Sequence, residues 1–205
     1  MLVVVIAYLI GATPGALLVN RLLRAFGLAA APATGAARRT LRARVTAALP
    51  SALILALDFG KGMLAVWLAP LVAAHVAVGE WRWLTQPLIS PGMMSVAALL
   101  VAVAAHDVSA VVIGGGGKVA TSFGGFMVLA PVPTLTAIAL FAVIAAASRV
   151  VWPASLIANW TLPLLILYRH PNDRLVQAAA VVTAVFATVL HQEDVRRVFS
   201  KRAAA

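Results

Sequence analysis

The chain has 205 residues, 63% hydrophobic and only 11% charged, which is outside the soluble globular range of about 45–50% apolar. A formal net charge of +10 with only six acids suggests nucleic acid, but the basic residues lie at the ends of apolar segments rather than on an aromatic-interleaved face. Nucleic acid is therefore not expected as a partner, the absence of cysteine rules out disulfides and thiolate sites, and the composition reads as an integral membrane protein.

Leu2 to Val19 is apolar and ends at Asn20, Arg21 and Arg24, which makes it the first span. It has no charged leading region and no evident cleavage site, so it is expected to be retained and not removed as a signal. Pro14, between Gly11 and Gly15, predicts a kink, which a membrane tolerates only where neighbouring helices satisfy the freed backbone. Phe26 to Arg44 follows as an Ala/Gly/Pro-rich loop with Arg38, Arg39, Arg42 and Arg44 and no acid, and is expected to be cytoplasmic. Topology accounts for most of these arginines, while the planar guanidinium fork also suits phosphate.

Val45 to Ala74 is the second span and carries Asp58 and Lys61 on one helical face. A charge at membrane depth costs of order 2.5–3.5 kcal/mol, so such residues pair and face a polar interior. A structural ion pair and the border of a polar active-site cavity are both compatible with this spacing. His75 to Pro91, with Trp81 and Trp83, has the aromatic content of an outer interfacial loop. Leu88 to Ala105 is the third span, and Val108 to Ile113 is expected to re-enter the membrane boundary.

The stretch His106 to Thr121, HDVSAVVIGGGGKVAT, then places four glycines and Lys118 between apolar segments. Successive glycines let backbone N–H groups converge on an anion, and Lys118 adds a point charge. A flexible turn is the other reading. A nucleotide P-loop is not met, because Val119 stands where that motif needs Ser or Thr.

Val119 to Ala130 is short for a span, and Pro131 and Pro133 separate it from Leu135 to Ala147. Val150 to Tyr168 is the sixth span and Leu175 to Leu190 the seventh, followed by a basic tail from His191. With the N-terminus outside, twelve lysines and arginines fall on the cytoplasmic side: six from Arg21 to Arg44, then Lys118, Arg149 and four in the tail. The outer loops hold three, Arg82, Arg169 and Arg174. The expectation is an all-α polytopic protein of about seven transmembrane helices, N-terminus outside and C-terminus cytoplasmic, in one domain from residue 1 to 205.

Several segments resemble the bacterial acyl-phosphate:glycerol-3-phosphate acyltransferases, the PlsY family. YLIGATPGALLVNRLL (Tyr8 to Leu23) is similar to the family's first helix with its G-S-I-P-F-G turn, and LDFGKG (Leu57 to Gly62) to its L-D-x-x-K-G. His106 to Lys118 keeps the spacing from a histidine to the lysine of K-G-G-K-G-V-A-T, with Gly116, Gly117, Lys118, Val119, Ala120 and Thr121 in place. SRVVWPASLIA (Ser148 to Ala158) resembles R-x-V-S-L-A-S-I, and HQEDVRR (His191 to Arg197) resembles the terminal H-R-E-N-I-x-R. The chain departs from the family at polar positions. APATGAAR (Ala31 to Arg38) replaces S-G-N-x-G-A-T-N, Gly115 replaces a lysine, the glycine after Lys118 is missing, and Asp194 replaces Asn.

The resemblance implies transfer of an acyl group from acyl phosphate to the 1-hydroxyl of glycerol 3-phosphate, giving lysophosphatidic acid, at the cytoplasmic side of a bacterial plasma membrane. It implies His191, Lys118 and Ser155 as catalytic residues, His191 orienting the substrate. Gly116, Gly117 and Lys118 would cradle phosphate and Arg149 and Ser155 would contact glycerol phosphate, with Gly35, Arg42, Thr121 and Asp194 completing the phosphate-binding set. No metal or other cofactor is expected, and membrane lipids are the remaining partners. The other acyltransferase signature, H-x4-D, is absent, since neither His75 nor His106 has Asp five residues later. The lost polar residues keep two further readings open: a weak or inactive family member that binds phosphorylated lipid precursors, and a small transporter with Asp58 and Lys61 as pathway charges.

Overall fold

The computed structural model describes residues 1–27, 41–78, 90–113 and 119–192, and the backbone alone for 41–48, 76–78, 91 and 113. Among the described residues there are eight helices: α1 (Leu2–Ala12), α2 (Gly15–Ala25), α3 (Leu41–Val78), α4 (Pro91–Ile113), α5 (Ala120–Leu129), α6 (Pro131–Ser148), α7 (Val151–Arg169) and α8 (Arg174–Leu190). The all-helical expectation is met. Four of them are long and apolar enough to cross a membrane, over Leu49–His75, Gly92–Val112, Pro131–Ser148 and Val151–Arg169. A fifth candidate forms if α1 and α2, bent by 49° across their break, count as one span. The apolar α5 and α8 are shorter, at 10 and 17 residues.

The α1–α2 break follows from local sterics. A residue before proline is pushed out of the α region, and Thr13 accordingly has ψ 121°. The third span differs from the expected Leu88–Ala105. Val108 to Ile113 is not a separate re-entrant segment but the end of α4, which stays helical through Ile113. Its polar residues explain why: His106 and Asp107 are buried against neighbouring helices, so they need not mark a span boundary. Little chain separates the next three helices. Ala130 alone separates α5 from α6, and α6 ends at Arg149, whose φ of 58° is the left-handed conformation typical of a helix stop.

The helices pack through small residues. A Cβ on Gly62 of α3 would collide with the Thr121 carbonyl, and one on Gly124 of α5 with the Phe59 carbonyl, so α3 and α5 meet backbone to backbone. A Cβ on Gly11 would likewise strike the Ala102 carbonyl, which brings α1 close to α4. The larger core joins Val66, Leu99, Phe123, Phe126, Leu162 and Ile166 from four helices. Large apolar side chains such as Leu9, Trp67, Val143 and Leu164 remain on the outside, as lipid contact requires. Asn159 Nδ2 donates to the Thr183 carbonyl (3.2 Å) and Trp160 Nε1 to Thr188 Oγ1 (2.9 Å), fixing α8 on α7. At the other end, Asp173 caps α8 by accepting from the Val176 N–H at 3.1 Å.

Candidate active site

Two polar clusters lie on either side of the first turn of α5. The first is built on the α1–α2 break, which frees the carbonyls of Ala12 and Thr13 from helical partners. Ser109 Oγ donates to the Ala12 carbonyl at 3.0 Å, and Lys61 Nζ to the Thr13 carbonyl at 2.9 Å. Lys61 also pairs with Asp58 Oδ1 at 2.9 Å and lies 3.1 Å from His106 Nδ1. An ammonium has three protons, and these three contacts match them. Because Lys61 only donates, His106 accepts at Nδ1, and its ring proton in the neutral form is on Nε2. Asp58 is 0% exposed and Lys61 8%, so α1, α3 and α4 close over a dry ion pair.

The second cluster lies at the end of α8. His191, the C-cap of that helix, is buried with Nδ1 2.8 Å from the Ala187 carbonyl. A carbonyl only accepts, so Nδ1 carries the proton and Nε2 is the acceptor face of the neutral ring. Ser155, one turn into α7, donates to the Trp152 carbonyl at 2.8 Å and places Oγ 3.4 Å from His191 Nε2. The Trp160 and Asn159 bonds between α7 and α8 hold these two residues in register.

Beside this pair is a cavity of about 650 Å³, within the usual ligand-pocket range of about 300–1,000 Å³. Its walls are the apolar faces of α3, α5, α6 and α7, and Ser155 and His191 are its polar members. Such a shape and lining suit a long hydrocarbon with one polar end. Val119 and Ala120, at the start of α5, also line it, whereas Thr121 beside them meets Gly62, next to Lys61. The first turn of α5 thus sits between the two clusters. Thr121 Oγ1 and Asp107 Oδ2 are buried without a hydrogen-bond partner among the described residues. They lie on the two helices that flank residues 114–118.

Of the residues expected from sequence, the structure brings Ser155 and His191 together at the cavity and pairs Asp58 with Lys61, neither of which lines it. Thr121 is buried in the first turn of α5, and Arg149 is exposed between α6 and α7. Gly35, Gly116, Gly117, Lys118 and Asp194 lie outside the described residues, as does the side chain of Arg42 in the first turn of α3. Three contributors had gone unassigned: the Thr13 carbonyl, Asp107 and Trp152. The Gly-Ala-Thr-Pro-Gly break is a legible signal for the first, and nothing in the sequence marks Trp152 as a cavity residue.

The family model for glycerol-3-phosphate acyltransferase matches residues 1–201. A glycerol-3-phosphate acyltransferase of Fusobacterium nucleatum is 30% identical over 203 residues, covering 96% of this chain and 93% of that protein. Glycerol-3-phosphate acyltransferase 2 of Moorella thermoacetica is 30% identical over 171 residues, covering 83% and 79%. Among solved structures, the glycerol 3-phosphate form of PlsY, an integral membrane glycerol 3-phosphate acyltransferase, aligns over 98% of this chain and 92% of its own with a TM-score of 0.67. Its lysophosphatidic acid form aligns over the same shares with the same score. At 20% and 21% identity these two establish a shared fold. With a family model matched over nearly its whole length and a relative 30% identical across it, the chain belongs to the glycerol-3-phosphate acyltransferase (PlsY) family.

Proposed function

We propose that this protein transfers a fatty acyl group from acyl phosphate to the 1-hydroxyl of glycerol 3-phosphate, releasing lysophosphatidic acid and inorganic phosphate. One observation carries the reading: an apolar cavity of about 650 Å³ that has Ser155 and His191 among its lining and abuts the first turn of α5. The hydrocarbon lies in the cavity, and its carbonyl carbon and phosphate are at the polar end. The forms named for PlsY, with glycerol 3-phosphate and with lysophosphatidic acid, support the same substrate and product.

Acyl phosphate is a mixed anhydride. The 1-hydroxyl oxygen attacks the carbonyl carbon, the carbon–oxygen bond to phosphate breaks, and the hydroxyl proton departs with the leaving phosphate. Holding two anions and orienting one hydroxyl supplies most of such a rate enhancement. Gly116, Gly117 and Lys118 cradle the leaving phosphate, and the Thr121 hydroxyl, buried without a hydrogen-bond partner among the described residues, supports its place in that cradle. Arg149 and Ser155 contact glycerol 3-phosphate, His191 orients the attacking hydroxyl, and Gly35, Arg42 and Asp194 complete the polar shell. Asp58 and Lys61 act from behind, by fixing α3 against the α1–α2 break and α4.

The site belongs to a single domain, residues 1–205, crossing a bacterial plasma membrane about seven times, N-terminus outside and C-terminus cytoplasmic. Twelve lysines and arginines assigned to the cytoplasmic side against three outside support that orientation, in which the site faces the cytoplasm. In this topology α5, about 15 Å long at roughly 1.5 Å per residue, is a short crossing buried against α3. Purified protein given acyl phosphate and radiolabelled glycerol 3-phosphate tests the reaction. Lysophosphatidic acid formed well above a Lys118→Ala control is expected, and no difference from that control would refute it.

A further inference from the structure

We propose that Ile138 sets the upper limit of acyl-chain length for this protein. The inference rests on the acyl-phosphate reading of the cavity and adds where the chain ends. The polar end of the cavity is defined by Ser155, one turn into α7, and by His191 at the end of α8. Since α6 ends at Ser148 and α7 begins at Val151, the C-terminal end of α6 is level with the start of α7, one turn before Ser155. Counting back along α6, Phe141 is about 10 Å and Ile138 about 15 Å from its C-terminal end at roughly 1.5 Å per residue, and because Ser155 is itself about 6 Å into α7, Ile138 lies about 9 Å deeper than Ser155. Ile138 is thus the α6 wall residue deepest from the polar end.

Beyond Ile138 the interior is closed. Thr134, one turn further on, and the neighbouring Ala137 are both 0% exposed, and so are Phe126 and Ala130 where α5 meets α6. Ile138 itself is only half-buried, because one side of it faces the cavity. A hydrocarbon entering from the polar end with its carbonyl near Ser155 and His191 has room until its terminal methyl reaches this side chain. Further methylenes then require displacement of packed core, which tolerates added volume poorly.

Truncating Ile138 lengthens the cavity, and enlarging it shortens the cavity. Each methylene gained or lost from apolar burial changes affinity about fourfold, corresponding to about 0.8 kcal/mol. The experiment compares kcat/KM of the wild-type full chain, Ile138→Ala and Ile138→Phe across decanoyl, dodecanoyl, tetradecanoyl, hexadecanoyl and octadecanoyl phosphates. Leu135→Ala, on the exposed face of the same helix, is the control. Ile138→Ala is expected to move the optimum towards longer chains and Ile138→Phe towards shorter ones, with at least a tenfold change in the ratio between the two ends of the series. Leu135→Ala keeps the wild-type profile.

Thermal stabilisation by non-hydrolysable acyl phosphonates of the same lengths gives a second readout that needs no turnover. The most stabilising length is expected to shift in the same directions, and Ile138→Val provides a milder variant if Ile138→Ala does not fold. Identical length profiles for wild type and folded Ile138 variants overturn the assignment. If wild type transfers no acyl group while the phosphonate profile still shifts with Ile138, the reaction assigned to the site is wrong and the length limit stands.

Discussion

Lys61→Met removes the ammonium from a site that has no solvent to replace it. The substitution leaves Asp58, 0% exposed, without its 2.9 Å ion-pair partner and the Thr13 carbonyl without its donor. Deleting one partner of a buried pair costs about 3–5 kcal/mol, mostly the penalty of the stranded charge. Against a total stability of about 5–15 kcal/mol this is large enough to lower the midpoint of unfolding plainly in detergent micelles. Asp58→Asn in the Lys61→Met background removes the buried carboxylate's charge while preserving shape, so much of the loss is expected to return. A double-mutant cycle measures this directly, and the coupling between Asp58 and Lys61 should exceed about 1 kcal/mol. A Lys61→Met protein within about 0.5 kcal/mol of wild type, or strict additivity in the cycle, would refute the buried-pair reading.

Gly62→Ala is expected to destabilise by about 1–3 kcal/mol, because its Cβ meets the Thr121 backbone carbonyl, whereas Gly60→Ala, with nothing within 4 Å, stays near wild type. Thermal unfolding of both variants distinguishes a close α3–α5 contact from general intolerance of this helix to substitution. Ser155→Ala and His191→Ala are each expected to lower kcat/KM roughly ten- to hundredfold while leaving the unfolding midpoint near wild type, as follows from losing a hydrogen bond to a charged group at about 1.5–3 kcal/mol. Steady-state kinetics with both substrates checks this, and unchanged kinetics in either variant removes that residue from the site. For topology, single cysteines at Ala36, Gln86 and Ala204 of this cysteine-free chain are labelled in intact cells with an impermeant reagent. Only Gln86→Cys is expected to react, and labelling at Ala36→Cys reverses the orientation.

Elements that proline controls were readable in the sequence. Pro14 between two glycines predicts a break whose carbonyls need outside donors, and Lys61 and Ser109 supply them. Pro131 and Pro133 predict the end of the short α5, but α6 begins at Pro131 and not at Leu135, because proline is accommodated in the first turn of a helix. The identity of those donors was less accessible, because Lys61 is 48 residues from Thr13 and 45 from His106, and no local period links them. Polarity misplaced the end of the third span. His106 and Asp107 read as a boundary, yet burial against other helices lets α4 continue to Ile113. The cavity left no trace in the sequence. Its walls are mostly alanine, valine, phenylalanine and single leucine, isoleucine and tryptophan side chains from four helices, each indistinguishable from a core residue until the helices are packed. Ser155 and His191 were reached through the family resemblance, since a lone serine and a tail histidine 36 residues apart carry no signal of their own.

Acyl transfer itself is tested most directly by following both products in one reaction. Purified protein in micelles receives acyl phosphate and radiolabelled glycerol 3-phosphate, and lysophosphatidic acid and inorganic phosphate are measured against time. Equimolar formation of the two, with the acyl group on the 1-hydroxyl and the rate reduced in Lys118→Ala and His191→Ala, is the expected result. Phosphate release without lysophosphatidic acid, or lysophosphatidic acid at the same rate in wild type and both variants, would contradict the proposed reaction at this site.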